Sequence, residues 1–167
     1  MFTVRLFRLS IPALVALFVV ACSTDQVNVD AQRLTIAELN TSAGYVWFPA
    51  ETQVYSPRQE FVTDIAKNFT AETRAIIFVR PTCSCRGTQK LFPHVIKTLT
   101  EAGVREDQIE IFSMRSNQDK HPHADRISLS SLPAVFVERA GMVSPRMILD
   151  EDFNGVNADS LVATLLR

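Results

Sequence analysis

Two cysteines with one residue between them, Cys83 and Cys85, are the side chains of this sequence best suited to chemistry. They stand in Pro81-Thr-Cys-Ser-Cys-Arg-Gly87, a loop between an apolar run and a helical pattern. Cα atoms two residues apart fall within the bridging range of a disulfide, and so tight a ring favours ready reduction. Cys85 lies at or just before a helix N-terminus, where unpaired N–H groups and the macrodipole favour a thiolate. Arg86 adds a positive charge beside it. The pattern suits thiol–disulfide exchange, and two other readings stay open. Paired thiolates are soft ligands that select Cu(I), with His94, His121 and His123 as candidate third donors. Nine residues on from Cys85, His94 points away across the helix. An inert clip on a surface loop would use the same two sulfurs.

The redox state of such a pair depends on compartment. The sequence opens with Arg5 and Arg8, followed by an apolar run from Leu9 to Ala21 broken by Ser10 and Pro12. That is the pattern of a secretory signal, and the run is short of the roughly 20 residues a bilayer span takes. Val19-Val20-Ala21-Cys22 resembles the lipobox of bacterial lipoproteins, whose cysteine thiol receives a diacylglycerol before cleavage. The resemblance implies a signal peptide over Met1–Ala21, lipid on Cys22, and a site in the cell envelope facing the periplasm. Ser23 in place of aspartate favours the outer membrane. In that oxidising compartment, with Cys22 consumed by lipid, Cys83 and Cys85 are left to pair with each other or with another molecule.

The chain carries 17 Lys+Arg against 18 Asp+Glu, a formal charge of −1. Without Arg5 and Arg8 the balance of 15 against 18 is −3, which leaves no basic footprint for nucleic acid. No cofactor and no metal is assigned, and the protein is expected to be a monomer.

The elements that must position the cysteines are read from periodicity. Residues 22–43 form a polar tether, with a short element suggested over Leu34–Leu39. Tyr45-Val-Trp-Phe48 reads as a strand. Ser56-Pro57-Arg58-Gln59 has capping-box spacing ahead of a helix over Pro57–Asn68. Ala75–Val79 is a continuous apolar run, the signature of a buried parallel strand. From Thr88 the stripe Leu91, Val95, Leu99 predicts a helix, kinked by Pro93. Strands follow at Ile109–Met114, Ala134–Val137 and Arg146–Leu149, the last two a hairpin turning at Arg139-Ala-Gly141. Asn117–Leu129 is polar with a weak helical signal, and Asn157 is placed to cap a final helix. The order from about residue 75 is β-α-β-α-β-β-α, an α/β fold with a central mixed sheet flanked by helices.

With the elements in that order, the stretch 44–167 resembles the thioredoxin-like superfamily. The features that carry the likeness are the strand running into a cysteine-bearing loop, Pro93 placed like the kink proline of the family's active-site helix, and Ser131-Leu-Pro133-Ala-Val-Phe-Val137, similar to its cis-proline loop and following strand. The family's usual Cys-x-x-Cys aligns with Cys85-Arg86-Gly87-Thr88, and its buried strand acid aligns with Val79. The resemblance implies a thiol–disulfide oxidoreductase acting on protein thiols or disulfides. Cys85 would be the attacking sulfur, Cys83 the resolving one, and Thr88 a hydrogen-bond donor to the Cys85 thiolate. A cis Pro133 would abut the cysteines and shape the edge where a partner chain binds.

Overall fold

The structure, a computed structural model, describes residues 31–167. The stretch read as a signal peptide, Cys22 and the first part of the stretch read as a tether lie outside the described residues. Five strands form one mixed sheet in the order β1-β3-β2-β4-β5. The central strand β2 (Thr73–Val79) runs parallel to β3 (Ile109–Ser113) and antiparallel to β4 (Ala134–Arg139). Its apolar run is continuous because both faces are covered. Ala75, Ile77 and Val79 pack with Leu91, Val95 and Leu99 on one side. Ile76 and Phe78 pack with Phe112, Met114, Ile127, Leu129 and Phe136 on the other, as the period of two requires.

The N-terminal part departs from expectation. The first strand is β1 (Gln32–Leu34), antiparallel to β3, and helix α1 (Ile36–Thr41) follows, with a capping box between Thr35 and Glu38. The fold therefore begins inside the stretch read as a tether. Tyr45-Val-Trp-Phe48 is not a strand: Ala43–Tyr45 is a single 3-10 turn and helix α2 spans Phe48–Val54, with Pro49 in its first turn. Aromatic content suited a strand, but here the rings fill a core. Tyr45 and Phe48 are buried against Phe92, with ring centroids at 6.2 and 5.5 Å.

Helix α3 is Gln59–Asn68. The Ser56–Gln59 capping box does not form: Arg58 is the N-cap residue, and its backbone N–H donates to Asp159 Oδ2 at 2.8 Å. After the cysteine loop, a wide turn over Gly87–Leu91 leads into α4 (Phe92–Glu101), with the Phe92 N–H reaching back five residues to the Gly87 carbonyl. Pro93 lacks the N–H that would continue the ladder, so the widened turn falls where regular bonding would fail. Residues 117–129 form no helix. They lie as turns on the outer sheet face, tied by Asn117 Nδ2 to the Leu129 and Ser130 carbonyls (3.1 and 3.0 Å).

The β4–β5 hairpin turns at Ala140 and Gly141, both with positive φ (49° and 82°), the backbone a two-residue hairpin favours. Strand β5 (Met142–Leu149) is bulged: Glu138 pairs with Val143 and Phe136 with Met147, so Ser144, Pro145 and Arg146 together oppose Val137. The last helix, α5 (Ala158–Leu165), has Asn157 at its N-cap position, but no bond from that side chain. The first-turn carboxylate of Asp159 instead accepts the Ser160 N–H at 2.6 Å.

Candidate functional site: the cysteine loop

Strand β2 delivers the chain to the site at the C-terminal edge of the sheet. Pro81 ends the strand, and Thr82 takes a left-handed backbone conformation (φ 56°) that is costly for a β-branched residue. The Thr82 N–H donates to the Gly44 carbonyl at 2.9 Å. Gly44 lets Pro81 pack closely: a Cβ on it would meet the Pro81 Cβ at 3.1 Å. The turn before α2 thus anchors the start of the cysteine loop.

Cys83 and Cys85 are disulfide-bonded, with their Cα atoms 5.4 Å apart. The Cys85 backbone N–H donates to Cys83 Sγ at 3.2 Å, a link from residue i+2 back to a side chain like that of an Asx turn. The Cys85 carbonyl accepts the Gln89 N–H at 3.0 Å, which makes Cys85 the residue that opens the helix. Thr88 follows three residues later, the spacing at which N-cap and N3 groups meet. It is fully buried and its hydroxyl has no hydrogen-bond partner. The expected bond from Thr88 to Cys85 is absent with the disulfide closed.

Arg86 does not stand free beside the sulfur; its guanidinium lies over the Phe153 ring, 4.7 Å from the centroid. Phe153 belongs to a 3-10 turn, Asp150–Phe153, that abuts the head of the helix. Gly87 accommodates that turn: a Cβ there would meet Asp150 Oδ1 at 2.4 Å. The Leu132–Pro133 bond is cis. Pro133 directly precedes Ala134, which pairs with Phe78, so it sits at the end of the sheet from which the cysteine loop departs. Val79 is fully buried among apolar side chains and supplies no acid.

The three histidines lie elsewhere. His94 stacks on Tyr55, with centroids 3.9 Å apart, and its Nε2 is 3.7 Å from Glu51 Oε2. Burial pushes its pKa down, against the opposing pull of Glu51. His121 meets the edge of Phe78 on the other sheet face. His123 Nε2 is bonded to Glu110 at 2.9 Å, and its Nδ1 lies 2.8 Å from the Arg126 guanidinium. Among the described residues, no three His, Cys, Asp or Glu side chains gather into a metal-binding group, and no helix is long and apolar enough to cross a membrane.

Sequence reasoning brought Cys83, Cys85, Arg86 and Thr88 to one helix mouth but missed Asp150 and Glu51. Glu51 pairs with Lys90 and leaves its buried Oε2 without a hydrogen bond. The one usable signal was Lys90 and His94 at helical spacing, which predicts a shared partner but not which acid. No protein-family model matches this chain, and neither does any curated protein or solved structure.

Proposed function

We propose that this protein exchanges disulfides with protein thiols through Cys83 and Cys85, on a thioredoxin-like fold. The observation that carries the reading is the pair itself, held at the mouth of a helix with a backbone N–H aimed at one sulfur. In the oxidising direction, a partner thiolate attacks one sulfur of the Cys83–Cys85 bond and releases the other as a thiolate. A second partner thiolate then attacks the mixed disulfide, leaving the partner with the disulfide. Two electrons pass to the pair, whose released sulfurs take up protons. The fold reading is supported by the parallel β2–β3 pair, the antiparallel β4–β5 hairpin and the helical turn that opens at the second cysteine and leads into α4. Copper handling receives no comparable support, because no third donor stands near the sulfurs among the described residues.

Equilibration of residues 22–167 with glutathione mixtures, read by thiol alkylation and mass spectrometry, tests the reading. A potential within the glutathione range and catalysis of model disulfide reduction or isomerisation are expected. A pair that neither reduces nor reacts with any thiol would overturn it. The lipobox extends the proposal to a protein anchored in the cell envelope by lipid on Cys22. Cys22→Ala should abolish lipid labelling, and recovery of wild-type protein with an unmodified Cys22 would refute the anchor.

A further inference from the structure

We infer that Cys83 is the sulfur presented to partners as a thiolate, and that Asp150 holds Cys85 back as the protonated second thiol. This assignment rests on the proposed exchange reaction and reverses the order expected from helix position alone.

Two independent observations carry it. The first is the Cys85 N–H donated to Cys83 Sγ at 3.2 Å; among the described residues no donor reaches the sulfur of Cys85. A sulfur that accepts a backbone N–H is stabilised as an anion. The bond is made here with the disulfide closed, and the assignment requires that it persist on reduction. The end of the helix thus acts on the sulfur two residues upstream, which curls back over it.

The second is the carboxylate at the helix head. Asp150 Oδ1 lies 2.4 Å from where a Gly87 Cβ would be, which places it within about 4 Å of the Gly87 Cα. Among the described residues, no hydrogen bond or ion pair reaches this carboxylate. The basic side chain nearest in sequence to the cysteines, Arg86, is turned onto Phe153. A negative charge two residues along from Cys85 opposes the helix dipole and disfavours a second anion there. The assignment requires that the Cys83 sulfur, which has its own N–H donor, feel this charge less once the disulfide is open. The arrangement separates the two thiols without the buried strand acid that Val79 replaces.

The test is alkylation of the fully reduced protein across a pH series, resolved by cysteine with mass spectrometry, on wild type and Asp150→Asn. Asparagine keeps the shape packed against Gly87 and removes the charge. In wild type, Cys83 should react several-fold faster near neutral pH. Asp150→Asn should speed Cys85 by about threefold, the change given by half a pKa unit, and move Cys83 by less. Cys85→Ser should accumulate a mixed disulfide with glutathione, and Cys83→Ser should not. Faster reaction of Cys85 in the wild type, or an unchanged ratio in Asp150→Asn, would overturn the assignment while leaving the exchange function standing. Absence of reactivity at both cysteines would instead remove the function itself.

Discussion

Tyr55 and His94 lie face to face, 3.9 Å between centroids with their planes 5° apart, in the seam between α2, α4 and α5. Burial disfavours the charged imidazole, so the His94 pKa falls below its ordinary 6.5. Over the interval between the folded and unfolded values, the unfolded chain binds more protons than the folded one, and stability rises with pH. It is fully present above about 6.5 and is lost as pH falls through the depressed value. His121, also lowered by burial, acts in the same direction. Urea midpoints should therefore drop between pH 7.5 and 5.5. His94→Phe keeps an aromatic ring against Tyr55 and should shrink that drop; an unchanged pH dependence would show that His94 is not buried neutral.

Asp159 joins α5 to the start of α3. Its carboxylate accepts the Arg58 N–H, Nε and Nη2 at 2.8, 3.1 and 2.9 Å. Burial would raise its pKa, but these bonds prevail and hold it low. Arg58 is half-exposed, so much of the ion-pair term is screened. The larger loss in Asp159→Ala comes from leaving the Arg58 and Ser160 amides without their acceptor. We expect a cost of about 2 kcal/mol in chemical denaturation. In wild type this contribution stands above the ordinary carboxylate value and fades as pH falls through the lowered one.

Thr88 buries a hydroxyl without a partner in the oxidised protein, which costs about 1 kcal/mol or more. Thr88→Val should therefore stabilise the oxidised form by about that amount. If the hydroxyl finds the Cys85 sulfur on reduction, the reduced form should gain less, and the denaturation curves of the two redox states will show the difference. Equal gains in both states would mean that Thr88 never bonds the thiol.

Gly87→Ala places a methyl where Asp150 Oδ1 now sits. Either the carboxylate swings outward or the turn Asp150–Phe153 lifts from the helix. Overpacking of this kind costs about 1–3 kcal/mol. The urea midpoint should drop accordingly, and the alanine variant should alkylate at Cys85 faster than wild type does.

Most of the sheet was legible: Ala75–Val79 announces itself as a continuous apolar run, and Ile109–Ser113 by the alternation of Ile109 and Ile111 about Glu110. The region before residue 60 was not. Three residues of β1 are too few to show a period, and they form a strand because β3 offers Ile111–Ser113 as a ladder. Tyr45 and Phe48 look β-prone, yet Pro49 and the cluster with Phe92 decide for a turn and a helix. In the site, spacing located Cys83, Cys85 and Thr88, which share one short segment. Asp150 was invisible: it lies 63 positions beyond Gly87, and only the folded chain brings the two together.

The two margins of the sheet are built unlike its middle. At one, β1 offers three residues of backbone; at the other, Pro145 has no amide hydrogen to give and sits where Ser144, Pro145 and Arg146 bulge against Val137. Neither margin provides the long, regular template on which a neighbouring copy could extend the sheet. Crowding many copies onto one surface would therefore raise their local concentration without starting edge-to-edge polymerisation.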